Sequence, residues 1–398
     1  MIHQAPQFLP PLTPVNTLTQ RCSVTREQAS HRIVIMRAGA FGDILMGTPL
    51  LAALRRAYPN AFISWIAEHS EVQAIDASPY IDEFIRWDGH YWKRPLRKAN
   101  YVKWLWRAFH GLRAFRKLNC DIFISLQPEE WPLMLKGLNA PITIGVFDTF
   151  RRYNKDKPTS KRTKLYTYAY AFPELPDHRI DQYFLTLKAL GLPPSDDKQM
   201  TMGFTAEDAG AVTAFLERHG VKEGQPFVVD VPMTTWPSKC WPAERHIALC
   251  DTLAERHGLP IVMIGSKREA EGIAAIAAQM KHPPIPAAGV MTFREVAALI
   301  ARASLLVSGD TGPMHVAAAV GTPNIALFGS TGPQWYAPQN SRGIVLSHPV
   351  PCGPCDQKFC GNEGENHMLC MKLLTVQEVL SASEKLLSSV PVEGVGRT

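Results

Sequence analysis

Short apolar runs alternate along the chain with longer segments of helical periodicity, which predicts parallel strands covered by helices. The runs predicted as buried strands are 31–36, 62–66, 121–126 and 142–145, and later 227–231, 261–264, 305–307 and 325–328. The pattern therefore starts again in the second half of the chain. Two successive α/β halves of this kind predict two Rossmann-like domains, in which ligands bind at the carboxyl ends of the strands.

Helices are predicted between these strands, and several carry recognisable end signals. Pro49 and Pro313 stand in first turns, where a missing N–H group costs nothing, and Gly321 follows the last residue of its helix. The predicted helices are 48–58, 91–118, 180–190, 243–257, 269–280, 292–301, 313–320 and 376–387.

The length of 398 residues suits two domains rather than one core. We predict an irregular arm at 1–31, a first Rossmann-like domain at 32–192, a second Rossmann-like domain at 200–345 and a cysteine-rich segment with a C-terminal helix at 346–398. No apolar run approaches the roughly 20 residues that cross a bilayer, and the arm lacks a signal-peptide core. These features predict a cytoplasmic protein.

The net charge of +6 is concentrated in two stretches of the first half. Segment 86–117 has ten Lys or Arg against one acid, interleaved with aromatic residues, and segment 151–164 has seven against one. Such a surface suits a membrane, a phosphorylated glycolipid or single-stranded nucleic acid. No nucleic-acid motif is present, so nucleic acid is not expected. An amphipathic helix packed by its aromatic face is the alternative.

The segment 305–329 is the most informative stretch for chemistry. A strand runs into a glycine-bearing loop and then into a short helix, so backbone N–H groups and a helix dipole face any ligand at that point. The helix starts at Pro313, directly after Thr311 and Gly312, and Asp310 and His315 add polar groups at this point. The pattern predicts a ligand with phosphate and hydroxyl groups, which a kinase, a reductase or a transferase could use.

Three further strand ends carry candidate groups. Asp43 follows the first strand and is either a general base or a first-turn acid of a helix. Thr234, Thr235 and Lys239 offer hydroxyls and a point charge for a diphosphate, or form an ordinary surface turn. Glu269 can accept ribose hydroxyls, or act only as a helix-start acid.

Four of the eight cysteines cluster within one short stretch: Cys352, Cys355, Cys360 and Cys370. Their C-x2-C-x4-C-x9-C spacing allows a tetrahedral structural zinc or iron site. Reduced thiols in a loop, or a disulfide, are the alternatives.

Taken together, these motifs resemble the heptosyltransferases of glycosyltransferase family 9 over about residues 31 to 385. The motifs are Gly42-Asp43 with Pro49, Thr234-Thr235 followed by Lys239 and Trp241-Pro242, and Asp310-Thr311-Gly312 with His315 and Phe328-Gly329. The resemblance implies a GT-B fold, with two Rossmann-like domains facing across a cleft. Residues 32–192 would then be the acceptor domain and residues 200–345 the nucleotide-sugar donor domain. It also implies an inverting transfer of heptose from ADP-heptose that needs no metal or other cofactor.

The resemblance also implies a role for each matching residue. Asp43 would be the base, Lys239, Thr234 and Thr235 would bind the diphosphate, Glu269 the ribose, Thr311 and Gly312 the phosphates, and Asp310 the donor sugar, with His315 beside them. The expected acceptor is a phosphorylated or lipid-linked oligosaccharide of the lipopolysaccharide core type, with the protein at the inner membrane through residues 86–117. The cysteine cluster resembles the cysteine-bound iron of family members that glycosylate autotransporter proteins, so a protein acceptor is the alternative. A non-catalytic assembly module held together by a metal is the alternative of another class.

Overall fold

The structure is a computed structural model that describes residues 12–15, 25–68, 71–88, 101–127, 132–147, 163–171, 175–339 and 342–388. The chain divides into two compact units, Met1–Asp197 and Lys198–Thr398. Much of the predicted basic surface, at 89–100 and 151–162, lies outside the described residues.

In the first unit, the described strands form one sheet in the order β1-β4-β3-β2-β5-β6-β7. They are β1 (Leu12–Val15), β2 (Arg32–Met36), β3 (Phe62–Glu68), β4 (Glu83–Trp87), β5 (Ile122–Ser125), β6 (Ile142–Phe147) and β7 (Tyr168–Ala171). All neighbours are parallel except β1, which pairs antiparallel with β4. The central strand β2 is buried from Ile33 to Met36, as expected of a parallel strand covered on both faces.

The helices described in this unit follow the strands: α1 (Phe41–Leu45), α2 (Thr48–Ala57), α3 (Tyr101–Leu118), α4 (Pro132–Gly137) and α5 (Arg179–Ala189). Pro49 stands in the first turn of α2, as predicted. Leu50, Leu51 and Leu54 of that helix are fully buried.

In the second unit, the described strands form a wholly parallel sheet in the order β10-β9-β8-β11-β12-β13. They are β8 (Val228–Val231), β9 (Ile261–Met263), β10 (Ile285–Pro286), β11 (Leu305–Gly309), β12 (Asn324–Phe328) and β13 (Gly343–Ser347). The described helices are α6 (Ala206–Arg218), α7 (Ala243–His257), α8 (Ala270–Ala277), α9 (Phe293–Arg302), α10 (Gly312–Val320), α11 (Pro333–Tyr336), α12 (Leu369–Lys372) and α13 (Val376–Ser388).

The C-terminal segment completes the core of this second unit. Met371 and Leu374 are fully buried in the cluster that also contains Trp241 and the inner side chains of the sheet. Trp241 donates its indole N–H to the carbonyl of Leu374 at 2.9 Å, so the tryptophan of the sequence motif has a structural role.

Two differences from the sequence prediction concern strands. The irregular arm predicted at 1–31 contains the edge strand β1, whose backbone pairs with β4. Pro14 is acceptable there because an edge strand has one side free of ladder hydrogen bonds. The strands β4, β7, β10 and β13 were not predicted. Most of them are short or lie near a sheet edge, where strands are less buried and their sequences are therefore less continuously apolar.

None of the helices among the described residues combines the length and the hydropathy needed to span a bilayer.

Candidate functional site

In the first unit, two arginines hold the carboxylate of Asp43. Arg37 Nη2 lies 2.5 Å from Asp43 Oδ2, and Arg179 Nε lies 3.5 Å from Oδ1. The two guanidinium side chains are only 3% and 7% exposed, whereas the Asp43 side chain is 19% exposed. The carboxylate is therefore fixed in place and still accessible to a ligand.

The Asp43 cluster is built from two strand ends and two helix starts. Arg37 follows β2, and its Nη1 donates to Oε1 of Gln127, which follows the neighbouring strand β5. Arg179 comes from the first turn of α5, and Asp43 from the first turn of α1. The sequence prediction identified Asp43 but missed both arginines. Arg179 is far from Asp43 in the sequence, and no local pattern shows that the side chain of Arg37 reaches Asp43.

In the second unit, the candidate residues gather at one edge of the sheet. They follow β8, β9, β11 and β12, which are neighbouring parallel strands, so their carboxyl ends share an edge. Lys239 lies in the loop after β8, Glu269 after β9, Asp310 after β11 and Thr331 after β12.

Two of these residues reach the same carboxylate oxygen of Asp310. Lys239 Nζ lies 2.7 Å from Asp310 Oδ2, and Thr331 Oγ1 donates to the same oxygen at 2.6 Å. The ammonium group also lies 4.6 Å from the centre of the Trp236 ring, a cation–π distance. Thr331 was not predicted from the sequence. A compact ammonium with three donors can hold Asp310 and still contact an anionic ligand.

The start of α10 adjoins this cluster and is open to an anion. Thr311 occupies the N-cap position, yet among the described residues no side chain caps the helix. By contrast, α6 and α9 are each closed by a capping box, at Thr205 and Thr292. Gly312 and Pro313 follow as the first helical residues, so the helix begins one residue before the predicted start at Pro313, and the N–H groups of such a helix start bind phosphate.

Several predicted donor residues have local structural contacts as well. The buried Thr234 hydroxyl donates to the carbonyl of Trp236 at 2.7 Å, which shapes the loop, whereas Thr235 is exposed. Glu269 Oε2 accepts from the backbone N–H and the hydroxyl of Ser266, each at 2.7 Å. His315 is 4% exposed on α10. The diphosphate and ribose roles of these residues stay predictions.

Gly309 sets the distance between β11 and the Lys239 loop. A Cβ atom there would lie 2.8 Å from the carbonyl oxygen of Lys239 and 3.2 Å from Thr234 Cγ2. The first contact is with backbone, so a side chain at this position must displace the whole loop.

Gly309→Ala is therefore expected to raise the KM for the ligand of this site about tenfold and to lower stability by about 1–3 kcal/mol. Steady-state kinetics and thermal unfolding measure the two effects. Gly210→Ala is the matched control, because a Cβ at that helical position meets nothing within 4 Å. Equal behaviour of the two variants would show that the loop contact is unimportant.

The four clustered cysteines line one small cavity together with Ser238 and Ser330. Two of them accept hydrogen bonds: Asn362 Nδ2 donates to Cys352 Sγ at 3.2 Å, and the N–H of Met368 donates to Cys360 Sγ at 3.3 Å. Burial raises the pKa of the Cys370 thiol, and the other three cysteines raise it further. Burial therefore favours the neutral thiol at this position.

The geometry of this cavity does not itself form a metal site. Within the described part of the chain, no three His, Cys, Asp or Glu side chains are placed so that they could hold a metal ion. The predicted zinc or iron at Cys352, Cys355, Cys360 and Cys370 therefore stays a prediction.

Elemental analysis of the purified protein tests that prediction. About one zinc or iron per chain is expected in the wild type and in Cys240→Ser, and much less in Cys352→Ser. A metal-free wild type, or equal metal in all three proteins, would show that the cysteines are plain thiols.

Comparison with known proteins places these features in context. Residues 158–365 match the family model described as glycosyltransferase family 9 (heptosyltransferase). The lipopolysaccharide heptosyltransferase 3 of Escherichia coli is 26% identical over 353 residues, which cover 87% of this chain and 97% of that protein.

Solved structures show the same architecture. A glycosyl transferase family 9 protein from Veillonella parvula aligns with a TM-score of 0.73 at 25% identity, covering 91% of this chain and 98% of its own. The ADP-heptose lps heptosyltransferase II of E. coli aligns with a TM-score of 0.67 at 20% identity, covering 90% and 98%. The predicted α/β fold of the GT-B type is confirmed by these likenesses.

Proposed function

The chain belongs to glycosyltransferase family 9 and is a glycosyltransferase, and from this premise we propose that it transfers heptose from ADP-heptose to an oligosaccharide of the lipopolysaccharide core. The observation that carries the proposal is the cluster of Lys239, Asp310 and Thr331 beside the uncapped start of α10. That cluster offers a cation and free N–H groups to a diphosphate and a carboxylate to the hydroxyls of a sugar.

The donor is activated by its diphosphate, which gains negative charge as the bond to the sugar breaks. Lys239 and the N–H groups of Thr311 and Gly312 would stabilise that charge without reorganising, because they are already fixed. The sugar develops positive character at its anomeric carbon at the same time. Asp310 would bind its hydroxyls, Thr234 and Thr235 would help Lys239 to hold the diphosphate, and Glu269 would bind the ribose.

Asp43 would supply the base. It takes the proton from an acceptor hydroxyl, whose oxygen attacks the anomeric carbon from the face opposite the diphosphate. The new C–O bond forms as the bond to the diphosphate breaks, ADP leaves with the electron pair, and the configuration inverts. Since Lys239 and the helix start supply the positive charge at the diphosphate, the proposed chemistry needs no cofactor.

A thermal-shift series tests the donor assignment. ADP and ADP-heptose should raise the melting temperature by several degrees at saturation, because a ligand that binds only the folded state stabilises it by mass action. UDP- and GDP-linked sugars should have much smaller effects. Equal shifts from all nucleotides would rule out a site selective for ADP.

A membrane-bound acceptor is supported by the surface of α3. Leu105, Trp106 and Phe109 are 60%, 46% and 59% exposed, respectively. Arg113 and Arg116 are exposed further along the same helix. Apolar and aromatic side chains combined with cations are typical of helices that lie on an anionic lipid surface.

Trp106→Ala and Phe109→Ala are each expected to weaken binding to vesicles with anionic lipid about tenfold, since each loses apolar area buried in the headgroup region. Phe359→Ala is the matched control, because Phe359 is 64% exposed but belongs to the second unit. Co-sedimentation measures the binding. Binding that is equal in all four proteins would place the membrane contact elsewhere.

The remaining parts of the proposal are the location of the enzyme in the cell and the class of its acceptor. We place the enzyme in the cytoplasm at the inner membrane, because none of the described cysteines forms a disulfide, which is the usual state in a reducing compartment. A core oligosaccharide is favoured over a protein acceptor by the match along 87% of the chain to a lipopolysaccharide heptosyltransferase. The complete cluster around Asp310 argues against a non-catalytic module.

A further inference from the structure

Two buried serines stand next to the residues that converge on Asp310. Ser238 precedes Lys239 in the loop after β8, and Ser330 precedes Thr331 in the loop after β12. Each is 2% exposed, and their hydroxyl oxygens lie 3.0 Å apart. One hydrogen bond between these hydroxyls therefore joins the two loops, one residue before Lys239 and Thr331, which hold the carboxylate of Asp310.

Backbone groups of the cysteine-rich segment form hydrogen bonds with both serines. The Ser238 hydroxyl donates to the carbonyl of Gln357, and its N–H donates to the carbonyl of Lys358 at 3.3 Å. The N–H of Asp356 donates to the carbonyl of Ser330 at 2.7 Å. The segment 356–358 thus holds the two loops through backbone groups, which are less mobile than side chains.

A close packing contact reinforces these hydrogen bonds. A Cβ atom on Gly329 would lie 2.3 Å from Met371 Sδ and 3.1 Å from Cys370 Sγ. The end of β12 therefore rests directly on the cysteine-rich segment, and Met371 itself is fully buried.

We propose that Ser238 and Ser330 are positioning residues, and that the cysteine-rich segment sets donor affinity through them. Lys239 Nζ and Thr331 Oγ1 reach the same oxygen of Asp310, at 2.7 and 2.6 Å, which requires a fixed spacing between their loops. The serine pair and segment 356–358, together called the serine clasp, fix that spacing before the donor binds. This inference rests on the proposed function, in which the cluster around Asp310 binds the donor.

The clasp predicts a specific kinetic signature. In Ser238→Ala and Ser330→Ala the loops lose a shared restraint, so the donor must order them on binding. The donor KM should rise about tenfold, which corresponds to about 1.4 kcal/mol, with kcat and acceptor KM changed less than threefold. The double variant should be no worse than Ser238→Ala alone, because Ser238→Ala already removes the hydrogen bond between the two hydroxyls together with the one to Gln357.

Ser383→Ala is the matched control. Ser383 is fully buried in α13 of the same unit and donates to the carbonyl of Val379 at 2.7 Å, so its loss also removes a buried hydroxyl. It is expected to lower the melting temperature without changing the donor KM.

Amide hydrogen exchange supplies a readout that does not depend on turnover. Exchange in 234–240, 329–332 and 356–358 should become faster in both clasp variants and stay unchanged in Ser383→Ala. If the wild type does not use ADP-heptose, the proposed function fails while exchange still tests the clasp. If the wild type is active but the clasp variants match Ser383→Ala in donor KM and in exchange, the clasp is overturned.

Discussion

Asp43→Asn is expected to lower kcat by about 10²–10⁴-fold, the usual contribution of a general base, with little change in donor KM. The amide keeps the shape of the side chain but cannot take the proton from the acceptor hydroxyl. Transfer of heptose to a core oligosaccharide, followed at saturating donor, measures the effect.

The same substitution also removes a partner from two buried arginines, so part of its effect is on stability. Asp82→Asn is the matched control, because Asp82 pairs with Arg55 at 2.6 Å in the same unit and its side chain is 4% exposed. Both variants should unfold at a lower temperature than the wild type. Only Asp43→Asn should lose turnover at a temperature where both are folded, and comparable turnover in the two would remove Asp43 as the base.

Lys239→Met is expected to lower kcat/KM for the donor by about 10²–10³-fold, because the diphosphate loses its fixed positive charge. It should also lower the free energy of unfolding by about 1–3 kcal/mol, because Asp310 is 7% exposed and keeps a charge without its cation. Donor kinetics and denaturant unfolding separate the two effects.

Two further variants make the test specific. Lys222→Met removes an exposed cation from the loop before β8 and should behave like the wild type. Lys239→Met combined with Asp310→Asn should regain most of the lost stability, since no unpaired buried charge remains, but should regain no activity. A double variant with restored turnover would contradict the role of Lys239 at the diphosphate.

The sequence predicted the parallel strands and the helix ends well where the signal is local. Strands such as β2 and β11 are continuous apolar runs, and α7 and α10 end at Gly258 and Gly321 in the left-handed conformation that glycine favours. The strand β1 could not be predicted, because its pairing with β4 joins distant residues and its sequence includes Pro14.

Most residues of the candidate site were predicted, because each of them follows a strand that the sequence shows as an apolar run. The partners of those residues were not predictable. Arg179 reaches Asp43 from a distant helix, and Thr331 reaches Asp310 from the next strand end. Such contacts depend on tertiary packing, which leaves no periodic pattern in the sequence.

Local hydrogen bonds account for the contacts of Thr234 and Glu269 that the sequence did not predict. Short polar side chains can bond to nearby backbone, so a hydroxyl or carboxylate at a strand end need not point only at a ligand. Thr234 donates to Trp236, and Glu269 accepts from Ser266. These residues therefore shape the loops that carry Lys239 and the start of α8, in addition to the donor roles proposed for them.

The central claim is that this chain transfers heptose from ADP-heptose to a core oligosaccharide. The most direct measurement incubates the wild type with ADP-heptose and a core oligosaccharide lacking heptose, and follows ADP release and the mass of the acceptor together. One ADP should be released for each acceptor that gains one heptosyl residue, and UDP- or GDP-linked sugars should give no product. An acceptor of unchanged mass, or equal transfer from UDP-glucose, would contradict the proposed activity.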